Sequence, residues 1–293
     1  MMIPRMSCAI AFALLVSAGV FAPGGQVWAC AGRIVTGPDP AADYNPFDPV
    51  DHARRSTITV ENISDQDCAY ELAFEPLGAA SFDFQIRSEA GAVLAGTGID
   101  PAGAARLATG ILAPDQSYRL DYVAIIPAGQ MLAPANYDQP VALSLMGFAG
   151  GPPPPGTPPS DTGQLTLACL VQQHLGVNIA GAGTATTIDF GELDQGENQR
   201  VVIEARSNLD FRLEAFSANG GALAMEPPYQ QWRIPYTVSL NGGVVALPAQ
   251  IGPFGETTIA GHALEFMVTI GDVSAKRAGL YTDEITIEIR PAM

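Results

Sequence analysis

Short segments in which apolar residues alternate with other residues run through most of this chain. Examples are TITVEN (57–62) and VALSL (141–145) in the first half, and VVIEA (201–205) and EITIEI (284–289) in the second. A period of two is typical of β-strands that bury one face. The intervening segments are rich in Gly, Pro and Asn, and no window shows a convincing helical pattern. The sequence therefore predicts an all-β protein of many short strands.

The same series of features occurs twice along the chain. Each copy has an early cysteine, an acidic turn containing Phe, an alternating strand and a closing motif. In the first copy these are Cys30, FDPVD (47–51), TITVEN (57–62) and ANYDQPVALSL (135–145); in the second they are Cys169, FGELD (190–194), RVVIEA (200–205) and AGLYTDEITIEI (278–289). Each copy spans about 120 residues, the usual size of one β-sandwich domain.

A proline-rich segment, GGPPPPGTPP (150–159), separates the two copies. Consecutive prolines favour the extended polyproline II conformation, which acts as a semi-rigid spacer. We therefore expect an N-terminal β-sandwich domain at 30–149, a Pro/Gly-rich linker at 150–164 and a C-terminal domain at 165–293. The linker is expected to hold the two domains apart.

Residues 1–29 have the pattern of a removable secretion signal. Arg5 is followed by an uncharged apolar run at 8–22, and Val27-Trp28-Ala29 precedes a predicted cut before Cys30. After that cut the chain would carry 13 basic and 30 acidic residues, a formal net charge of −17. Such an acidic surface repels nucleic acid and anionic lipid, so we expect neither as a partner.

Three cysteines follow the predicted cut, namely Cys30, Cys68 and Cys169. Disulfides persist in exported proteins, and Cys30 and Cys68 lie in the same copy, so we expect these two to be bonded. Cys169 would then be an odd, buried thiol. The alternative is a lipid on Cys30, although Trp28 is bulkier than the lipoprotein pattern prefers. Cys68 and Cys169 could then form a bridge instead.

The sequence offers little support for catalysis. The three histidines, His52, His174 and His262, are far apart, and no His-Glu-x-x-His, Gly-x-Ser-x-Gly or Cys-x-x-Cys motif occurs. We therefore expect no enzymatic activity, no cofactor and no metal site.

Residues 165–293 resemble the spore coat protein U-type pilin domain, which forms subunits of archaic chaperone–usher pili in Gram-negative bacteria. The resemblance rests on Cys169, the FGELD turn, the VVIEA strand and the closing motif Gly279-x-Tyr281-x-Asp283, of which the closing motif is the most specific. One departure is Ala205, which stands where the family has a second cysteine. The first copy matches the family more loosely.

The resemblance implies immunoglobulin-like sandwiches, the C-terminal one lacking its last strand. A groove with unpaired backbone groups would accept a strand from another chain. The implied partners are a periplasmic pilus chaperone, an outer-membrane usher and an adjacent pilin subunit that donates its N-terminal strand. The expected groove residues are Tyr281, Ile285, Ile287 and Ile289, in a strand followed only by residues 290–293. The alternative is that these isoleucines belong to the core of a complete sandwich.

The order of the domains predicts the position of such a subunit in a pilus. Four prolines, which cannot donate ladder hydrogen bonds, and a whole domain precede the pilin-like part. We therefore expect a subunit that accepts a strand and donates none, exported through the periplasm to the pilus tip. Its N-terminal domain would act as an adhesin for a surface or host ligand that the sequence does not identify.

One candidate adhesive loop contains Ile125, Ile126, Met131 and Leu132. If these residues are exposed at the far end of the first domain, they suggest contact with hydrophobic surfaces; the alternative is that they cap its core. Two other functions stay open at this point. One is a secreted or lipid-anchored coat protein made of two self-complete sandwiches, and the other is an exported carbohydrate-binding module.

Overall fold

The structure, a computed structural model, describes residues 30–149 and 158–292. The predicted secretion signal at 1–29 and residues 150–157 of the proline-rich segment lie outside the described residues. The described chain folds into strands, with one short 3-10 turn at Pro101–Gly103. The predicted all-β class is confirmed. None of the described residues belongs to a helix long and apolar enough to span a membrane.

The N-terminal domain is a sandwich of two five-stranded sheets. Its strands are β1 Gly32–Thr36, β2 Ala41–Tyr44, β3 His52–Asn62, β4 Cys68–Pro76, β5 Gln85–Ser88, β6 Val93–Gly96, β7 Leu107–Leu112, β8 Ser117–Ile126, β9 Ala135–Phe148 and β10 Asp161–Val171. The first sheet has the order β1-β3-β8-β5-β6, and the second has the order β2-β10-β9-β4-β7. The pairs are antiparallel except β2 with β10, which is parallel.

The strand β10 corrects the predicted domain boundary. It was expected to open the C-terminal domain, but it pairs with β9 along its full length, from Asp161 opposite Leu145 to Val171 opposite Ala135. The proline-rich segment therefore connects two neighbouring antiparallel strands of one sheet and does not join the domains. The predicted boundary was wrong because a run of prolines ends a strand but does not show whether the next strand belongs to the same sheet or to another domain. Residues 172–174 make the actual connection.

The C-terminal domain packs a large sheet against a small one. Its strands are β11 Leu175–Ile179, β12 Asn198–Ser207, β13 Phe211–Ser217, β14 Ala222–Met225, β15 Arg233–Leu240, β16 Gly243–Val245, β17 Ala249–Phe254, β18 His262–Ile270, β19 Tyr281–Thr282 and β20 Ile285–Pro291. The large sheet has the order β11-β12-β18-β15-β14-β19, with β16 paired to β15. The small sheet has the order β17-β13-β20.

Turn chemistry explains one sharp reversal in this domain. Asn241 and Gly242 have φ values of 48° and 80° and join β15 to β16. A two-residue turn with both central residues at positive φ matches the twist of a hairpin, and Asn-Gly is the preferred pair for it.

The three cysteines among the described residues lie in the N-terminal domain. Cys30 and Cys68 form a disulfide with a Cα–Cα distance of 6.0 Å, and a sulfur held in that bond cannot carry a lipid. Cys169 is a free thiol in the same core, only 1% exposed. Its burial raises the pKa of the thiol to about 11, so the group stays neutral at ordinary pH. Cys169 is therefore not the start of a second copy.

Candidate strand-acceptor groove and domain junction

One edge of β11 and one edge of β20 have no partner strand in the part of the chain that the structure describes. β11 pairs with β12, and β20 pairs with β13; on its other edge β11 is bonded only at its last residue, where Ile179 bridges to Gly183. The two strands belong to different sheets but lie beside each other at one side of the sandwich. We call the space between them the seam. Apart from Ile179, which bonds to Gly183, each edge presents backbone N–H and C=O groups without ladder partners.

The apolar side chains along the seam are only partly covered. Ile285, Ile287 and Ile289 pack on the domain core from β20 but remain half-buried. Leu213 and Ala215, on the neighbouring strand β13, are 0% and 1% exposed. The core-facing side chains of β13 are thus fully buried, whereas those of its neighbour β20 are buried only in part, so the core is open at the seam.

The two domains differ in how completely they close their cores. The N-terminal domain has 27 buried apolar residues, and 5 partly buried apolar residues pack against them. The C-terminal domain has 14 buried apolar residues, 10 of them in one core cluster, and 13 partly buried apolar residues pack against that cluster. The N-terminal sandwich is therefore the closed one, and the C-terminal sandwich exposes much of its apolar interior.

The structure separates Tyr281 from the other three predicted groove residues. Tyr281 lies in β19, opposite Met225 of the large sheet, and its hydroxyl donates to the Arg277 carbonyl at 2.7 Å. It is therefore not on the β20 edge, and its placement in the groove was wrong. The chain crosses from the large sheet to the small one between β19 and β20, so residues close in sequence lie on different sheets.

Asp283 holds that crossing in place. Its Oδ2 accepts hydrogen bonds from the Tyr236 hydroxyl at 2.5 Å and from the Ser217 hydroxyl at 2.6 Å, and its Oδ1 accepts one from the Asn219 backbone N–H at 3.0 Å. Burial, with the neighbouring carboxylate as a second cause, raises the pKa of Tyr236. The last residue of the closing motif thus fixes the point where β20 begins.

The predicted adhesive loop lies at the domain junction. Ile125 and Ile126 belong to β8, and Ile126 is 5% exposed. Met131 and Leu132 are half-buried, and the Leu132 carbonyl accepts a hydrogen bond from the side chain of Asn208 in the C-terminal domain. These residues do not sit at the far end of the N-terminal domain. The alternation of β8 turns Ile126 inward, and the following loop covers the end of the sandwich that faces the other domain.

Asn208 is the residue at the junction that sequence reasoning missed. It is fully buried. Its Oδ1 accepts from the His174 backbone N–H at 2.8 Å, and its Nδ2 donates to the carbonyls of Gln172 at 3.0 Å and Leu132 at 3.3 Å. One amide thus binds the connecting segment and the N-terminal domain together. A turn asparagine between two strands has no distinguishing pattern in a single sequence.

The seam runs away from this junction. Pro291, at the end of β20, lies opposite Phe211, and the Ala292 N–H donates to the Asp210 carbonyl at 2.9 Å. Asp210 follows Asn208 closely, so the Pro291 end of the seam lies at the junction. The Ile285 end lies at the opposite end of the C-terminal domain.

Among residues 30–149 and 158–292, no group of three or more His, Cys, Asp or Glu side chains is arranged to hold a metal ion.

Comparisons with known proteins give structural likenesses at low identity. No family model matches the chain, and no curated protein matches it. Among solved structures, it is similar to the CsuC–CsuE chaperone–tip adhesion subunit complex of archaic chaperone–usher Csu pili of Acinetobacter baumannii. That alignment has 12% identity and a TM-score of 0.48, and covers 88% of this chain and 99% of the other.

Two further likenesses are weaker. A chaperone–tip adhesin complex of CFA/I fimbriae aligns at 10% identity and a TM-score of 0.33, covering 88% of this chain and 98% of the other. The SafA pilin of Salmonella enterica in complex with the SafB chaperone aligns at 9% identity and a TM-score of 0.22, covering 89% and 96%. These TM-scores are below 0.5, so they identify no family for this chain.

Proposed function

We propose that this chain is the tip subunit of an archaic chaperone–usher pilus. In this role its C-terminal domain accepts a strand from another subunit, and its N-terminal domain contacts a surface. The observation that carries the proposal is the seam, where two unpaired strand edges flank half-buried isoleucines. A seam of this kind needs an extended strand to complete it.

An added strand would both pair with the free backbone edges of the seam and cover its half-buried isoleucines. An added strand pairs its backbone with the free edges of β11 and β20. Its alternate side chains cover Ile285, Ile287 and Ile289, and burial of apolar surface stabilises by roughly 25 cal/mol per Å². During export a periplasmic chaperone would supply the strand, and after passage through the usher the N-terminal segment of the adjacent subunit would replace it.

The position of the N-terminal domain supports a place at the tip. This domain is closed, and the hydrogen bond from Asn208 to the Leu132 carbonyl places it near the junction end of the seam. The subunit that donates the strand would therefore lie beyond the Ile285 end, on the side opposite the N-terminal domain. That arrangement leaves the N-terminal domain at the outer end of the fibre, exported and non-enzymatic, where it meets a surface or host ligand.

A synthetic strand tests the proposal on the full chain. The probe is a peptide of about 13 residues in which Ile or Val alternates with Thr or Ser, long enough to cover a strand of typical length. We expect calorimetric titration to show saturable binding to the wild type. Ile287→Asp should abolish it, because the substitution places a charge in the apolar seam.

Thr286→Asp is the matched control for this experiment. Thr286 is on the same strand but is exposed on its outer side, so the variant should bind the peptide as the wild type does. Absence of binding to the wild type, with both domains stably folded, would favour two self-complete sandwiches and thus a coat protein. Equal binding by Ile287→Asp would show that β20 is not the docking edge.

A further inference from the structure

The arginines of the N-terminal domain are concentrated on one sheet. Residues 30–171 contain 16 acidic residues and six arginines. Five of these arginines lie on strands of the β1-β3-β8-β5-β6 sheet, and the sixth, Arg106, pairs with Glu71 of the other sheet. An acidic domain with this distribution has its positive charge gathered on one surface.

Four of the arginines share the outer face of that sheet, on the side opposite Ile58, Val60 and the rest of the core. We call this surface the arginine face; its arginines are Arg33, Arg55, Arg87 and Arg119. The register places Arg55 and Arg87 on either side of Val123. Their backbones are therefore about 10 Å apart, two strand spacings.

The carboxylates on this face leave two of the arginines without an ionic partner. Arg33 pairs with Glu61, and Arg119 pairs with Asp121 at 2.9 Å. In the described parts of the chain Arg55 forms no ion pair, and Arg87 donates only to the Gln85 side-chain carbonyl, at 2.9 and 2.6 Å. Two guanidinium groups are therefore available to an external anion.

A shallow cavity lies at the centre of the arginine face. It has a volume of about 210 Å³ and is lined by Arg55, Ser56, Thr57, Glu89, Arg119 and Asp121. Guanidinium groups, carboxylates and the Thr57 hydroxyl thus line one depression, whereas the Ser56 hydroxyl donates to the Pro38 carbonyl. The Thr57 hydroxyl and the carboxylates provide acceptors for neutral O–H groups, and the guanidinium groups provide paired donors for anions.

We infer that the arginine face binds an acidic polysaccharide through Arg55 and Arg87. Guanidinium forks bind carboxylate and sulfate groups in a bidentate manner. Glu89 and Asp121 lie where sugar hydroxyls can donate to them. An open sheet face suits an extended polymer, of which each segment is held by a few polar contacts.

Nucleic acid fits this surface poorly. Double-stranded DNA carries one negative charge per roughly 1.7 Å of its axis, and Glu61, Asp121 and Glu89 on and beside the face would repel that dense charge. An acidic glycan carries its anions farther apart, between neutral hydroxyl groups. The inference uses a different domain and surface from the seam, so it does not depend on strand acceptance.

The test measures binding of the purified full chain to immobilised glycans at a salt concentration of about 50 mM, where electrostatic contacts are weakly screened. Polygalacturonate carries carboxylates and heparin carries mainly sulfates, so the two arms distinguish the anion. Neutral dextran and double-stranded DNA are the comparison ligands. We expect the wild type to bind at least one acidic glycan, to bind DNA more weakly and not to bind dextran.

The variants make the test specific to the face. The double variant Arg55→Ser/Arg87→Ser should bind about tenfold more weakly or worse, because each arginine supplies charge-assisted hydrogen bonds. Arg106→Ser is the matched control, since it removes an arginine from the other sheet; its affinity should stay at the wild-type value. Unchanged melting temperatures would show that the variants fold. Absence of binding to both acidic glycans, full binding by the double variant, or stronger binding to DNA would overturn the inference.

Discussion

At the scale of single residues, Asn208 determines how the two domains are joined. Its side chain accepts one hydrogen bond from the connecting segment and donates two more, one of them to the N-terminal domain. Because the residue is fully buried, water cannot replace those bonds if the amide is removed. The domains are thus in contact through a buried polar side chain, whereas the sequence predicted that a proline-rich linker would hold them apart.

Asn208→Ala should therefore loosen the junction. We expect a loss of about 1–3 kcal/mol of stability, the typical cost of leaving buried polar groups without partners. Small-angle X-ray scattering should show a broader range of distances between the domains. Asn136→Ala, on the exposed start of β9, is the control and should change neither quantity. A variant with unaltered scattering and stability would mean that the domains are held by other contacts.

At the scale of strands, β20 differs from the inner strands of the N-terminal domain. Leu143 of β9 lies between β4 and β10 and is 0% exposed. Ile287 of β20 has a paired strand on one side only and is half-buried. The two side chains are of similar size, so the difference in their exposed fractions reflects how completely each core is covered.

This difference predicts unequal costs of truncation. Leu143→Ala should destabilise the N-terminal domain by about 2–5 kcal/mol, as deletion of a fully buried side chain does. Ile287→Ala should cost the C-terminal domain only about 1–2 kcal/mol, since part of its surface already meets water. Urea unfolding that resolves the two transitions measures both values. Equal costs for the two variants would indicate that the seam is closed.

Most strands could be predicted from alternation, whereas their partners could not. TITVEN, VALSL and VVIEA lie within β3, β9 and β12, and EITIEI lies within β20 except for its first residue, Glu284. An alternating pattern identifies a strand with one buried face, but it does not show which sheet the strand joins. The pairing of residues 161–171 with β9 of the N-terminal domain was therefore not predicted. The polar Gln172-Gln173-His174 break was the available signal for the true boundary.

The alternating pattern also predicted part of the candidate site. Ile285, Ile287 and Ile289 share one face because their spacing is two, and the structure places all three on the free strand. Tyr281 and Asp283 precede a change of sheet that alternation does not reveal. The arginine face was also hidden, because Arg33, Arg55, Arg87 and Arg119 come together only through the order of four strands.

At the scale of the whole molecule, a closed domain and an open domain are joined end to end. The closed domain contacts the C-terminal domain near the Pro291 end of the seam, and the Ile285 end lies at the opposite end of the C-terminal domain. The open domain should therefore fluctuate more than the closed one, because exposed strand edges and a partly covered core lower local stability. Filling the seam should remove most of that difference.

Hydrogen–deuterium exchange of the full chain, with and without the alternating peptide, tests this central claim most directly. We expect the amides of β11 and β20 that have no ladder partner to exchange fast in the free protein and to slow at least about tenfold when the peptide pairs with them. Amides of β9 and β10 should exchange slowly in both samples. If the edge amides of β11 and β20 are already protected without the peptide, or if the peptide changes nothing there, the C-terminal sandwich is complete and the chain is not a strand acceptor.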